Sequence, residues 1–246
     1  MVLIACYILR DQMTFWFPFS INSVLPIADK VLLVTDNPSE ELLNFIASLK
    51  NDKIRIIKSH YKHESKDADG SQRQVYLDYL MKEHIGDWAL VLDDDEVLSD
   101  NNEGMKSTDV LKSMMGYIGI NVWSIRIRHC FFAFGMEDSS MEKHFVPLRM
   151  FKVKQGLSYP KVEHPVLQGF IPEEHRLIDM IHIWHFSGLQ GIPFELLKWE
   201  KQCWKSNMHN NEELERWKRW HLFAEMPLKR YDLKELPLSI KERLKL

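Results

Sequence analysis

The sequence predicts an α/β fold, with a mainly parallel central sheet flanked by helices and a helical C-terminal extension. Three observations predict it. Across the first hundred residues, apolar strand-like runs alternate with stretches of helical period, the signature of parallel strands joined by helices. Those runs stop at polar clusters, Arg10-Asp11, Asp36-Asn37 and Asp93-Asp94-Asp95, each at the expected carboxyl end of a strand. Finally, Pro193 to Phe223 has a helical pattern and carries Trp199, Trp204, Trp217 and Trp220, whose indole rings are suited to packing helices onto a sheet.

Taken in order, Val2 to Leu9 is a continuous apolar run, as expected of a strand covered on both faces. Met13 to Leu25 is apolar and aromatic and reads as a helix ended by Pro26. Lys30 to Thr35 is a second buried strand that stops at Asp36-Asn37-Pro38-Ser39. Ser39 followed by Glu40 and Glu41 starts a helix with acidic residues in its first turn, and Leu42, Leu43, Phe45, Ile46 and Leu49 supply its apolar face. Ile54 to Ile57 is a third strand. Ser59 to Gly70 is a polar loop, the part from His60 onward charged enough to act as a lid. Helical period returns over Ser71 to His84 and ends at Gly86, and Ala89 to Leu92 is the fourth strand. Beyond Asp100 the pattern predicts a helix over Val110–Tyr117 and strands over Val122–Cys130 and Phe145–Val153.

Composition narrows the class. With 246 residues, 45% of them hydrophobic and 27% charged, the chain can bury the core of one large domain. A formal net charge of −3 gives no general attraction to nucleic acid or anionic lipid. Cys6, Cys130 and Cys203 are far apart and form no CxxC pair, so they read as reduced thiols. Met1 to Leu9 is too short to span a bilayer and lacks a basic region and cleavage site. A cytoplasmic protein without a transmembrane segment is expected.

The most informative segment is Gly86-Asp87-Trp88-Ala89-Leu90-Val91-Leu92-Asp93-Asp94-Asp95-Glu96. Adjacent carboxylates at a strand end repel one another unless a cation neutralises them, and oxygen ligands suit a hard divalent ion. This segment resembles the DxD region of the family 2 glycosyltransferases, whose fold is GT-A. The likeness extends, in order, through Val34-Thr35-Asp36-Asn37, Ser71-Gln72-Arg73-Gln74, Val146-Pro147-Leu148-Arg149-Met150-Phe151-Lys152, Val162-Glu163-His164-Pro165 and Ile183-Trp184-His185-Phe186-Ser187-Gly188. It covers roughly residues 1–190, expected to form a GT-A-like nucleotide-sugar-binding and catalytic domain, with 191–246 as the helical extension packed on it.

The resemblance implies a metal-dependent transfer of sugar from a nucleotide sugar, UDP- or GDP-linked, to a glycan, lipid or protein acceptor, with inversion. It implies that Asp93 contacts the ribose side of the donor, that Asp95 ligates Mn2+ or Mg2+, and that Asp94 is the intervening position. Asp36 would lie near the base or ribose, and Arg73 near the base or phosphates. His185 is the expected metal or diphosphate ligand, and a nitrogen ligand would favour Mn2+; His182 reads as structural. The base that deprotonates the acceptor falls to Glu163 or His164, with Glu137 and Asp138 also candidates. Here glutamate precedes histidine, the reverse of the family order. Arg126 and Arg128 share one strand face, beside His129, and could pair with the acidic run or hold an anionic acceptor.

Two other readings compete. One is a nucleotidyltransferase, since carboxylate-held cations beside a parallel sheet serve several chemistries, although no GxGxxG or GxxxxGK string occurs. The other is a non-catalytic module that keeps the fold.

Overall fold

The computed structural model describes residues 1–9, 13–60, 68–102, 105–131, 136–138, 146–162, 165–188 and 228–244. The four apolar runs of the first hundred residues form β1 (Leu3–Ile8), β2 (Lys30–Thr35), β3 (Ile54–Lys58) and β4 (Trp88–Leu92). They lie parallel in the order β4-β1-β2-β3. Both faces of β1 and β4 are buried, as continuous apolar runs require. Alternate residues feed two cores. Leu3, Ala5, Tyr7, Leu90 and Leu92 pack on one side with Phe17, Ile21 and Leu42. Ile4, Cys6, Ala89 and Val91 pack on the other with Tyr76, Leu77 and Leu80.

The connecting helices are α1 (Phe17–Val24), α2 (Glu40–Ser48) and α3 (Ala68–Glu83). α1 starts later than Met13 because Pro18 occupies its first turn, where a missing N–H is harmless; further back, the ring would clash with a helical carbonyl. Ser39 caps α2 as expected, its Oγ accepting from the Leu42 N–H at 3.2 Å. α3 begins at Ala68, ahead of the predicted Ser71. Its first turn meets the loop after the 148–152 strand so closely that a Cβ on Gly70 would lie 2.0 Å from the Pro160 carbonyl oxygen. Gly70 N–H donates to the Val162 carbonyl at 3.1 Å there, so only glycine fits. Gly86, at φ 89°, turns the chain from α3 into β4.

Past β4 the expectation of a mainly parallel sheet is corrected: the sheet is mixed. The acidic run leads into β5 (Glu96–Leu98), a small hairpin of β6 (Asn101–Asn102) and β7 (Met105–Lys106), then α4 (Ser107–Met115). β8 (Val122–Phe131), β9 (Met136–Asp138), β10 (Leu148–Lys152), β11 (His175–Gly188) and β12 (Leu228–Arg230) follow. β10 runs antiparallel to both β4 and β8, and β11 runs parallel to β8 but antiparallel to β5. The ten-stranded sheet has the order β12-β9-β8-β10-β4-β1-β2-β3, with β11 on β8 and β5 on β11. The helix–strand alternation that predicts parallel pairing ends with α4; strands that follow one another without a helical crossover fold back antiparallel.

The predicted tryptophan-rich helical tail, Pro193 to Phe223, lies entirely outside the described residues. What is described of the extension adds β12 antiparallel to β9 and a short helix, α5 (Leu238–Leu244). Tyr231, Leu236 and Ile240 pack with Trp16, Cys130, Trp184 and Phe186 in a third apolar cluster. Among the described residues no helix is long and apolar enough to cross a membrane.

Candidate functional site

The parallel register brings the ends of β2 and β4 to one edge of the sheet, on either side of β1. Asp36 follows β2 there, and Asp93 follows β4. Asp94 and Asp95 do not continue the strand, where side chains would alternate between faces. They occupy the centre of a tight turn closed by Glu96 N–H donating to the Asp93 carbonyl at 3.0 Å. Each carbonyl of this turn has a donor. Ser20 Oγ, with its single proton, donates to Glu96 O and lies 3.3 Å from Asp93 O, which already accepts from the Glu96 N–H. Thr14 Oγ1 donates to Asp94 O at 3.4 Å, and Phe186 N–H to Asp95 O at 3.0 Å. α1, the segment before it and β11 therefore hold the acidic turn in one shape.

Two arginines take half of its carboxylates. Arg73, from α3, meets Asp93 Oδ1 at 2.6 Å. Arg149, from β10, reaches Asp93 Oδ2 at 3.4 Å and forms a closer pair with Glu96. Glu96 is enclosed, with 2% of its side chain exposed, and its Oε2 accepts from the Asp93 N–H at 2.9 Å. Loss of water opposes the charge on Asp93, but Arg73 and Arg149 outweigh it and hold the carboxyl far below the usual carboxylate range. Burial likewise opposes the charge on Arg73, and Asp93 more than compensates, so the guanidinium stays charged. Burial pushes Glu96 up to about 7 against the pull of Arg149, with Asp93 adding to the rise.

On the far side of the turn, Asp95 Oδ1 lies 3.4 Å from His185 Nε2. Strand register brings them together: in the antiparallel pairing of β5 and β11, His185 stands opposite Glu96. The other ring nitrogen of His185, Nδ1, lies 2.8 Å from Nδ1 of His129 on β8. One oxygen and one nitrogen donor suit a divalent cation that shares its remaining positions with phosphate oxygens and water. Among the described residues no group of three or more His, Cys, Asp or Glu side chains is disposed to hold an ion by itself.

The structure thus gathers Arg73, Asp93, Asp94, Asp95 and His185 around one turn, with Asp36 on the same sheet edge. Glu163 and His164, the expected bases, lie outside the described residues, as does most of the expected lid, residues 61–67. The described chain runs up to them through Val162, tied to α3 at Gly70. His182 and His185 leave β11 on opposite faces. His182 is buried, edge-on to Trp184 with ring centres 5.0 Å apart, and burial together with Arg128 pushes it down to about 4. It is a neutral packing residue. Arg126 and Arg128 engage Asp179 and Glu235 rather than the acidic run. Glu137 and Asp138 lie on β9, paired with β12.

In the sequence Glu96 stands out only as a member of the acidic run and Arg149 only as part of a segment resembling a family strand, with no separate role for either, and Ser20 and Tyr7 do not stand out at all. Arg149 had a signal: a lone charge inside the apolar run Leu148-Arg149-Met150-Phe151 must find a buried partner. Ser20 and Tyr7, linked through the Tyr7 hydroxyl donating to the Ser20 carbonyl at 3.2 Å, had none.

No family model matches the chain, and no curated protein does. Among solved structures it is similar to 4-diphosphocytidyl-2C-methyl-D-erythritol synthase from Anaerococcus prevotii, at 11% identity and a TM-score of 0.36 over 61% of this chain and 70% of that one. It is also similar to mannose-6-phosphate isomerase from Helicobacter pylori, at 13% identity and a TM-score of 0.34 over 63% of this chain and 62% of that one. A third similar structure is HddC from Yersinia pseudotuberculosis, at 9% identity and a TM-score of 0.34 over 62% of this chain and 74% of that one. Likenesses of this size carry no argument about chemistry, which rests on the residues of the turn.

Proposed function

We propose that the chain is a nucleotide-dependent transferase whose donor is a UDP- or GDP-linked sugar, bound at the Asp93–Glu96 turn together with Mn2+ or Mg2+. The observation that carries the reading is the approach of Asp95 to His185, 3.4 Å apart on a turn whose carbonyls are all held. In this reading Asp95 and His185 hold the cation, and the nitrogen donor favours Mn2+. When bound, the cation supplies Lewis-acid stabilisation of the charge that develops on the diphosphate. Arg73, oriented by Asp93, adds a fixed positive charge beside the phosphates. Asp36 binds toward the ribose or base, and Asp94 lines the turn between the two. Glu163 or His164 takes the acceptor proton, as the resemblance to family 2 glycosyltransferases implies. The parallel order β4-β1-β2-β3 with acids at its carboxyl edge supports a GT-A-like arrangement for this half of the sheet.

Nucleotidyl transfer is the second reading, because the same cation and arginine chemistry would serve a nucleoside triphosphate equally well. The products separate the two. The purified chain is incubated with Mn2+ and UDP-, GDP- or dTDP-sugars, and in parallel with nucleoside triphosphates and sugar phosphates. Release of nucleoside diphosphate supports glycosyl transfer, and release of pyrophosphate supports nucleotidyl transfer. Nucleotide binding that raises the melting temperature by mass action, with no release of either, marks a non-catalytic module. Asp95→Ala is expected to abolish turnover while leaving the melting temperature of the free chain unchanged. Full turnover by a folded Asp95→Ala chain sinks the proposal.

A further inference from the structure

We infer that His129 is a positioning residue for the cation site: its ring fixes the tautomer of His185 and so aims a bare nitrogen at Asp95. The inference rests on the cation reading above and adds to it a residue that this reading does not use. The two Nδ1 atoms are 2.8 Å apart, a hydrogen-bond distance that accommodates one proton between them and not two. One ring must donate and the other accept. A cation held by His185 Nε2 needs the lone pair on that nitrogen. The proton of His185 then sits on Nδ1 and is donated to His129 Nδ1, while the proton of His129 sits on its Nε2. Metal-bound histidines are commonly oriented in this way by a partner on the ring nitrogen facing away from the metal.

Backbone register makes the pair a built feature. In the parallel pairing of β8 and β11, Ile178 stands opposite Ile125, yet His182 stands opposite the next residue, Arg126. This bulge in β11 advances the chain so that His185 falls opposite His129. On its other edge β11 sets His185 opposite Glu96. The same residue is thereby flanked by the acidic turn and by its histidine partner. The rings meet nearly at right angles, 79° apart with centres 4.7 Å from each other, which directs one Nδ1 at the other and prevents stacking.

The test is Mn2+ binding by the full chain, read from the electron paramagnetic resonance signal of free Mn2+, with the metal alone and with UDP or GDP present. His129→Leu removes the acceptor and is expected to weaken Mn2+ binding about 10- to 100-fold. His129→Gln, whose amide oxygen accepts a hydrogen bond, is expected to recover most of that loss, a rescue that a purely structural role would not produce. Melting temperatures of both variants confirm that they are folded. If His129→Leu binds Mn2+ like the wild type while Asp95→Ala and His185→Ala do not, the inference falls and the cation reading stands. It falls as well if Gln and Leu at this position weaken binding equally. A wild-type chain that binds no Mn2+, with or without nucleotide, overturns both.

Discussion

Two arginine–carboxylate pairs occupy contrasting places in this molecule. Arg149 and Glu96, beside the acidic turn, expose 7% and 2% of their side chains, whereas Arg128 and Glu235, where the C-terminal segment returns to the sheet, expose 15% and 47%. The buried pair solves a problem that the turn creates: carboxylates moved out of water need compensation from a charge that has also lost its water. The outer pair is secured differently. The Arg128 guanidinium lies over the rings of Trp184 and Tyr231, at 4.2 Å and 5.2 Å from their centres, so aromatic contact fixes it before Glu235 adds anything. Similar ions therefore do different work, one preserving a polar site inside the sheet and the other tying a terminal segment to it.

The largest expected effect comes from breaking the inner pair. Arg149→Met leaves Glu96 and Asp93 without a shared partner, and removing one side of a buried ion pair costs roughly 3–5 kcal/mol. Urea unfolding monitored by circular dichroism measures it. A loss below about 1 kcal/mol, the range of exposed pairs, would erase the contrast between the two regions. Arg149→Lys is expected to recover part of the loss, because both contacts come from one nitrogen, Nη2, which an ammonium can imitate. Its compact and strongly hydrated charge is costlier to bury than a guanidinium.

The next effect sharpens the outer region through pH. His182 has its folded value pushed down to about 4 by burial and by Arg128, while an unfolded histidine titrates near 6.5. Below that value the unfolded chain binds a proton that the folded chain refuses. Stability is therefore complete above about 6.5 and falls as the pH drops toward 4, by on the order of 2 kcal/mol at pH 5 for this residue. His182→Gln is expected to lose less stability than the wild type between pH 7 and pH 5, whatever its stability at pH 7. Parallel losses in the two proteins would show that His182 is charged in the folded state.

The two regions also differ in how readable they were in the sequence. The β1-to-β4 half was legible because burial on both faces writes a continuous apolar run, and Ser39 with Glu40 and Glu41 marks a helix start through local chemistry alone. The acidic turn was legible as a cluster of charge, but its shape was not. Asp94 and Asp95 sit in a turn because Thr14, Ser20 and Phe186, distant in sequence, hold its carbonyls. The mixed half of the sheet was opaque for the same reason. The pairing of β11 with β5 and β8 depends on a bulge and on long-range register, and neither leaves a local period. His129 could be seen as a residue on a strand, but not as the neighbour of His185.

Within the outer region, aromatic contact and charge can be separated. Arg128→Met removes the cation from both rings while leaving an apolar chain to fill the space, and is expected to cost about 1–2 kcal/mol. Glu235→Gln removes only the charge of the carboxylate. Its side chain is nearly half in solvent, so water and salt screen the attraction, and an exposed pair of this kind contributes about 0–1 kcal/mol. The expected loss in Glu235→Gln is therefore the smallest of the series and shrinks further in 1 M salt, where screening acts within about 3 Å. The loss in Arg128→Met barely changes with salt, because it is governed by desolvated ring contact. Should Glu235→Gln cost as much as Arg128→Met, charge and not the rings would be holding the C-terminal segment, and the two arginine pairs would differ in place but not in kind.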